Sequence, residues 1–168
     1  MKIFLMRHAV AMEREDFAKK NKDDSLRPLI EKGRERTRKM TKQLQLMDEN
    51  FDMIISSPFL RAMQTAEIVC QGYNIRELHE CAELVPSAPP QALAQWLRTE
   101  AKRARSLLAV GHEPQMSVFA SWLVSGYTDS VIELKKAGVI CLEVESFEDL
   151  GPRSALLKWI LQPKNLLI

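Results

Sequence analysis

Short, fully apolar segments alternate along the chain with longer segments whose apolar residues are spaced as in helices. Residues 2–6, 52–56 and 107–110 have the length and the composition of strands buried on both faces. Residues 31–47 and 114–126 have apolar side chains three or four positions apart, as amphipathic helices do. Strands that alternate with helices predict an α/β fold, a three-layer sandwich whose mostly parallel sheet has helices on both faces.

Turn-forming residues predict the limits of the other elements. Ser57 is a preferred N-cap and Pro58 suits the first helical position, so we expect a helix from there to about Cys70, with Gly72 as its stop. Residues 11–30 are polar without a clear period, which predicts a long loop with room for a short helical piece. The remaining predicted elements are a weak strand at 76–81, a helix that starts at Pro89-Pro90, and a late strand pair at 139–144 and 155–161.

The composition is that of an ordinary globular domain. Of 168 residues, 46% are hydrophobic and 27% are charged, which excludes disordered and collagen-like chains and predicts a single domain over residues 1–168. No apolar run reaches the roughly 18 residues of a membrane span, and residues 3–6 are too short for the core of a signal peptide. Together with three cysteines that form no C-x-x-C pattern, these features predict a cytoplasmic protein.

Positive and negative charges nearly balance over the whole chain. Lys and Arg number 24 and Asp and Glu number 22, and this net charge of +2 indicates neither a nucleic-acid nor a membrane partner. Residues 31–43 are an exception, with six basic and two acidic side chains. Nucleic-acid binding is one interpretation of this segment, but we prefer a solvated helix face with an ion pair between Glu35 and Lys39.

Histidines and arginines follow three of the predicted strands. Arg7 and His8 come directly after the first strand, Arg61 lies just beyond the second, and His112 follows the strand at 107–110. In open α/β sheets ligands bind outside the carboxyl ends of the strands, so we expect these four side chains to share one crevice. Two helices also begin there, and their free N–H groups favour anions. Such a positive cluster predicts a phosphate site.

Two histidines in a phosphate site suggest catalysis as well as binding. A neutral imidazole is a nucleophile at neutral pH, and neighbouring arginines should lower its pKa and keep it unprotonated. One histidine would attack phosphorus while the other contacts the phosphoryl oxygens, and the arginines would stabilise the charge that develops. We therefore expect a phosphohydrolase that uses no metal and no cofactor.

These residues also resemble a known family, the histidine phosphatases. The segment LMRHA at residues 5–9 is similar to the family's R-H-G signature, with Ala9 where many members have Gly. The segment SSPFLRAMQTA at residues 56–66 is similar to its second arginine motif, and Gly111-His112 is similar to its second histidine motif. The order and the spacing of these motifs fit over roughly residues 1–125.

The resemblance implies a phosphoglycerate mutase-like fold with a minimal cap, and a role for each matching residue. His8 would be the phosphorylated nucleophile, and the phosphate pocket would be completed by Arg7, Arg61 and His112. The shortness of the chain, Arg27-Pro28-Leu29 and Gly33 are most similar to the phosphohistidine phosphatases of the family. This similarity makes Arg27 a further candidate contact to the phosphate.

Members of the family differ in the residue that protonates the leaving group. Some use an acid directly after the second histidine, which is Glu113 here, and others use a glutamate between the second and third strand ends, which is Glu83 here. An alkoxide leaving group needs such a donor, whose contribution is typically about 10²–10⁴-fold. Phosphohistidine needs it less, because imidazole is a far better leaving group, so both candidates stay open.

Two other hydrolase mechanisms fit the sequence poorly. Cys70 and Arg76 have the C-x₅-R spacing of cysteine-based phosphatases, but Cys70 falls near the end of a predicted helix instead of in an anion-binding loop after a strand. A metal site of His8, His112 and Glu113 would place a dication beside two arginines. We expect neither mechanism.

The length of the chain also bears on the substrate. There is room for little cap over the site beyond residues 11–30 and 82–90, and an open site suits a phosphorylated protein side chain. We therefore expect phosphohistidine on a phosphocarrier or phosphorelay protein as the substrate, and hence a part in signal transduction. A small phosphoester is the second candidate and a mutase reaction the third, while a non-catalytic phosphate-binding module is the alternative from another class.

Overall fold

A computed structural model describes residues 1–166 of the chain. The strands are β1 (Lys2–Arg7), β2 (Met53–Ser56), β3 (His79–Glu80), β4 (Ser106–Gly111), β5 (Val139–Val144) and β6 (Ala155–Leu161). The helices are α1 (Arg14–Ala18), α2 (Glu31–Leu46), α3 (Leu60–Tyr73), α4 (Pro90–Glu100) and α5 (Gln115–Ser125). The predicted end of the domain, at residue 168, lies outside the described residues.

The strands form one sheet with the order β3-β2-β4-β1-β5-β6. Strands β3, β2, β4 and β1 pair in parallel, whereas β5 is antiparallel to β1 and to β6. The mostly parallel α/β sheet predicted from the sequence is thus confirmed, and so is the late hairpin of β5 and β6. Residues 3–6 of β1 are fully buried, because helices cover the central strands on both faces.

Two apolar layers separate the sheet from its helices. On one face, α2 and α3 contribute Met40, Leu44, Ala62, Ala66 and Val69 to the core. On the other face, α4 and α5 contribute a second set, which includes Met116, Phe119, Ala120 and Leu123 of α5. Within residues 1–166, none of the helices combines the length and the apolar character needed to cross a membrane.

Helix α3 begins later than the sequence predicts. Its first residue is Leu60 and its N-cap is Phe59, so the expected start at Ser57-Pro58 is wrong. The N–H of Ser57 instead donates to the carbonyl of Val110 at 2.9 Å, which continues the pairing of β2 with β4 by one residue. Sheet hydrogen bonding therefore outweighs the local capping preference of Ser57, and its hydroxyl is left free to contact other groups.

The end of α3 also differs from the expectation. Gly72 lies inside the helix, and Asn74 takes the left-handed C-cap position with φ 54° and ψ 34°. A Cβ on Gly72 would lie 2.5 Å from Cγ2 of Thr41 in α2. Gly72 is therefore explained by the close packing of two helices and not by a stop signal. The third predicted strand, at 76–81, is shorter than expected, since only His79–Glu80 pair with β2.

The long loop predicted at residues 11–30 folds over the carboxyl ends of the central strands. It contains the short α1 and one 3₁₀ turn, Asp24–Leu26. An isolated bridge between Ala11 and Leu29 closes its base. This closure holds the polar residues of the loop beside the strand ends.

Gly33 allows the first turn of α2 to contact the loop after β1. A Cβ at this position would lie 2.1 Å from the carbonyl oxygen of Val10, far inside van der Waals contact. The same oxygen accepts a hydrogen bond from the N–H of Ile30 at 3.1 Å. Helix α2 and the segment that follows His8 are thus packed backbone against backbone.

Replacement of Gly33 by alanine should destabilise the protein by about 1–3 kcal/mol, because the new methyl group forces two backbone segments apart. Urea unfolding measures the change in the free energy of unfolding. Gly151→Ala is the matched control, because the nearest atom to its added Cβ lies at 3.9 Å. Equal stabilities of the two variants would contradict this account of Gly33.

Candidate active site

Parallel pairing brings the two predicted histidines together. The N–H of His8 donates to the carbonyl of Gly111 at 2.9 Å, so β1 and β4 stay paired up to the first residue of the site. The rings of His8 and His112 lie side by side, with 5.1 Å between their centroids. The crevice predicted at the strand ends is therefore present.

A cleft of about 280 Å³ opens at these strand ends. Every predicted site residue except Glu83 lines it. The lining residues are Arg7, His8, Glu13, Arg14, Arg27, Arg61, Pro86, His112, Glu113 and Lys136.

A single hydrogen bond determines the tautomer of His8. Its Nδ1 lies 2.8 Å from the carbonyl oxygen of Ala9. A carbonyl can only accept a hydrogen bond, so Nδ1 must carry the proton, and Nε2 keeps a free lone pair. Ala9 has a negative φ, so the alanine in place of the family's glycine is accommodated without backbone strain.

His112 is held by the residues that precede α3. Its Nε2 lies 2.8 Å from Oγ of Ser57, the hydroxyl released by the late start of that helix. The ring of Phe59 packs against His112 with 5.1 Å between centroids, and it also lies 5.0 Å from the guanidinium carbon of Arg61. Nδ1 of His112 is buried and has no hydrogen-bond partner among the described residues.

Both histidines are neutral at physiological pH. Burial lowers the pKa of His8 to about 2, and the charges of His112, Arg61 and Arg7 act in the same direction. Burial likewise lowers the pKa of His112 to about 3, with further contributions from Arg61, Arg27 and Arg7 that outweigh the opposite effect of Asp24. The predicted effect of the arginines on the histidine pKa is therefore present, but desolvation is the larger cause.

Two arginines carry buried positive charge into the cleft. The Arg61 side chain is 3% exposed, and Arg7 donates from Nη1 to the carbonyl of Leu134 at 2.8 Å. The Nε atoms of both arginines are buried without a partner in the part of the chain that the structure describes. Guanidinium groups that line one cleft favour an anion with several acceptor oxygens.

Asp24 is the counter-charge of this arginine cluster. Its Oδ2 lies 3.1 Å from Nη2 of Arg61, and its Oδ1 lies 2.9 Å from Nε of Arg27. Its backbone carbonyl also accepts from Nη1 of Arg61 at 2.9 Å. Desolvation opposes ionisation, but the hydrogen bond from Arg27 and the charges of both arginines hold the pKa of Asp24 below its ordinary value.

Arg27 is an internal residue of the site. Its side chain is 9% exposed, and Nη1 donates to the carbonyl of Met12 at 2.7 Å. The bond to Met12 and the ion pair with Asp24 fix the guanidinium at the edge of the cleft.

The two proton-donor candidates have different surroundings. Glu113 lines the cleft, where its carboxylate accepts from the N–H and the hydroxyl of Ser117 at 3.0 and 2.6 Å. Burial raises the pKa of Glu113 despite these hydrogen bonds and the charge of Arg7. The carboxylate of Glu83 lies 3.4 Å from Sγ of Cys81, away from the cleft lining.

The residues of the two rejected mechanisms are not assembled for them. Cys70 lies within α3 and is buried, and burial raises the pKa of its thiol. Within residues 1–166, no three His, Cys, Asp or Glu side chains are grouped so that they could hold a metal ion.

Several residues in or beside the cleft are not identified by the sequence analysis. Glu13, Arg14 and Asp24 belong to the long loop of residues 11–30. Its length is the sequence feature that indicates a functional role for this segment. Lys136 belongs to a turn before β5 that shows no motif. Ser57 and Phe59 lie within the second arginine motif. The sequence analysis expects Ser57 to be a helix N-cap and not a partner of His112.

Comparisons with known proteins identify the family of the chain. The family model described as histidine phosphatase superfamily (branch 1) matches residues 3–85. An uncharacterized protein of Picosynechococcus sp. is 36% identical over 143 residues, 84% of each chain. The chain belongs to the histidine phosphatase superfamily. It is similar over its whole length to the phosphohistidine phosphatase SixA of Escherichia coli, with 28% identity over 99% of this chain and 96% of the relative.

Solved structures share the fold. The protein histidine phosphatase SixA complexed with tungstate superposes with a TM-score of 0.84 and 24% identity over 99% of both chains. The alpha-ribazole phosphatase from Shigella flexneri superposes with a TM-score of 0.71 and 17% identity over 97% of both chains. Family membership and the similarity to SixA support a phosphatase activity.

The two site histidines should make stability fall with acidification. Below pH 6.5 the unfolded chain binds protons at both imidazoles, whereas the folded chain binds them only near pH 2 and pH 3. The free energy of unfolding is therefore highest above pH 6.5, and each histidine lowers it by about 1 kcal/mol for every pH unit below 6.5. Urea unfolding at about pH 7.5, 6 and 5 measures this slope. His8→Asn should reduce the slope by about half, and an unchanged slope would contradict the buried neutral state.

Asp24→Asn should destabilise the free protein and increase its response to phosphate. The variant leaves Arg61 and Arg27 without a counter-charge, which costs about 1–2 kcal/mol for a partly exposed carboxylate. An anion in the cleft restores that charge, so inorganic phosphate should raise the Tm more in the variant than in the wild type. Asp23→Asn is the control, since Asp23 is fully exposed. Equal phosphate shifts in both variants would refute this role of Asp24.

Proposed function

We propose that the protein hydrolyses phosphohistidine on another protein through a phosphorylated His8. The observation that carries the proposal is the hydrogen bond between Nδ1 of His8 and the carbonyl of Ala9, at 2.8 Å. It directs the proton to Nδ1 and frees the lone pair of Nε2. That nucleophile lies beside His112 and in a cleft lined by Arg7 and Arg61.

In the first step, Nε2 of His8 attacks the phosphorus in line with the leaving group. The new bond is N–P, and the bond between phosphorus and the leaving group breaks. Arg7, Arg61 and Nδ1–H of His112 stabilise the charge on the three equatorial oxygens. The phosphorylated imidazole becomes cationic, and its Nδ1–H bond to the carbonyl of Ala9 strengthens accordingly.

The protonation of His112 supports this role. Nε2 of His112 lies 2.8 Å from Oγ of Ser57, which also accepts from the N–H of Phe59 at 3.3 Å, and we assign the Ser57 hydroxyl as the donor to Nε2. The neutral imidazole then carries its proton on Nδ1, the nitrogen without a partner among residues 1–166. A phosphoryl oxygen would accept from it.

In the second step, water attacks the phosphorus and the N–P bond breaks. Nε2 of His8 regains its lone pair, and inorganic phosphate is released. We assign the proton transfers of both steps to Glu113, because its carboxylate lines the cleft and burial raises its pKa. Glu83 is the weaker candidate, since its carboxylate contacts Sγ of Cys81 instead.

A protein substrate fits the small extent of the covering segments. Beyond the strand ends themselves, only parts of residues 11–30, Pro86 and Lys136 reach the cleft from the connecting loops, so a phosphorylated side chain can approach from outside. The similarity to SixA supports the same substrate class, with a phosphocarrier or phosphorelay protein as the partner and signal transduction as the context. Three free, buried cysteines, Cys70, Cys81 and Cys141, are consistent with action in the cytoplasm.

We further propose that residues 1–168 act as one domain and that the chemistry needs no metal. The positive charges of Arg7 and Arg61 occupy the places where a metal ion would otherwise stabilise the phosphoryl group.

A small phosphoester is the second candidate substrate. The observation that favours it is Glu113, since an alkoxide leaving group depends on an acid at this place. The fold shared with the alpha-ribazole phosphatase of Shigella flexneri agrees with this possibility.

His8→Ala should abolish turnover and the formation of a phosphoenzyme. Wild-type protein mixed briefly with a radiolabelled phosphohistidine protein should carry acid-labile, alkali-stable phosphate, and the variant should carry none. His79→Ala is the matched control, because His79 lies in β3 outside the cleft lining. Undiminished activity of His8→Ala would overturn the mechanism.

The same preparations decide the substrate class. Rates on phosphohistidine protein, p-nitrophenyl phosphate and a panel of sugar phosphates are compared, and a preference of more than about tenfold for the first over the sugar phosphates is expected, since imidazole is a far better leaving group than an alkoxide. A tenfold preference for a sugar phosphate would favour the small-phosphoester alternative.

A further inference from the structure

A second, larger depression, the basic groove, adjoins the active cleft. It encloses about 690 Å³ between α2, the turn before β5 and the 3₁₀ turn Pro163–Asn165. Glu35 is the one acidic residue among those that line it. Besides Arg7, its cations are Lys32, Arg36, Lys39, Lys135, Lys136 and Lys164.

The charge of the basic groove is largely uncompensated within the described residues. The predicted ion pair between Glu35 and Lys39 is wrong, since the salt bridges of residues 1–166 do not include it. An exposed pair of this spacing is worth only about 0.3–0.5 kcal/mol, too little to hold two long side chains in one geometry. Of the six cations, Lys135 pairs with Glu133, and the others have no carboxylate partner in this part of the chain.

The basic groove is continuous with the catalytic site. Arg7 and Lys136 line both the groove and the cleft. From this junction the groove follows α2, where Lys32 and Lys39 are seven residues apart, about 10 Å along the helix axis. A single phosphate group in the cleft cannot reach these positions, so a ligand that fills both the cleft and the groove must extend well beyond its phosphate.

We propose that the basic groove binds an acidic stretch of the phosphoprotein substrate, next to its phosphorylated histidine. This inference rests on the proposed function and adds a specificity surface to it. Opposite charges steer association and select among partners, mainly through the association rate. Pro163 and Leu166 add apolar side chains to the lining of the groove, which the partner can also contact.

Two observations favour a protein over a nucleic acid or a membrane surface. The residues that line the groove include no aromatic side chain on which a base could stack. The cations also face a concave groove beside a catalytic cleft, whereas a lipid surface would be met by a flat or convex face.

The test uses two triple variants of the same helix. In the groove variant, Lys32, Arg36 and Lys39 are each replaced by Glu. In the control variant, Arg34, Arg38 and Lys42 are each replaced by Glu, which changes the net charge equally at positions outside the groove lining. Lys39→Glu/Lys164→Glu is a smaller second groove variant in case the triple variant does not fold.

The readout is the kcat/KM for two phosphohistidine peptides, one flanked by aspartates and one by serines. At low ionic strength the wild type should prefer the acidic peptide by at least about tenfold, and salt at about 0.3 M should abolish the preference. The groove variants should lose the preference while their rates on p-nitrophenyl phosphate stay within about twofold. The control variant should keep it. Retention of the preference in the groove variants, or equal loss in the control, would overturn the proposal.

Binding of the unphosphorylated acidic peptide, measured by fluorescence anisotropy, separates the groove from the chemistry. If neither phosphohistidine peptide is hydrolysed, the proposed substrate class fails, but specific loss of this binding in the groove variants still supports the groove. Equal binding to the wild type and the groove variants would refute it. Tighter binding of a single-stranded oligonucleotide or of phosphatidylserine vesicles than of the acidic peptide would also refute a protein partner.

Discussion

The parallel pairing of β1 with β4 and of β4 with β2 is the constraint on which the site depends. The hydrogen-bond ladders continue one residue beyond the ends of β1 and β2, through the bonds from His8 to Gly111 and from Ser57 to Val110, each 2.9 Å long. This register places His8 after β1, His112 after β4 and the hydroxyl of Ser57 after β2. A slip by one residue would turn these side chains to the opposite face of the sheet. Backbone hydrogen bonds of the core thus determine the geometry of the chemistry.

The electrostatics of the site follow from burial. Desolvation keeps both imidazoles neutral, so that the positive charge of the cleft comes from arginines, which cannot lose it. Buried guanidinium groups need a counter-charge, and Asp24 supplies it from a loop that the sheet does not restrain. The carboxylate therefore belongs to the site as much as the arginines do, although it need not touch phosphate.

The sequence predicts those features that depend on local pattern. The strands, the α/β class and the positions of His8, His112 and Arg61 at strand ends all follow from apolar periodicity and element order. The roles of Ser57 and Gly72 differ from the predicted ones because they arise from contacts with β4 and α2, which are distant in the chain. Asp24 could not be assigned for the same reason, since 37 residues separate it from Arg61.

The position of Asp24 has a consequence for the end of each catalytic cycle. A pocket built only from buried cations would hold its inorganic phosphate product tightly and would be left with bare charge when that product departs. Here a carboxylate remains in contact with both Arg27 and Arg61. The charge of these two guanidinium groups is therefore partly compensated in the empty pocket, which favours the departure of a bound phosphate in comparison with a pocket of bare cations.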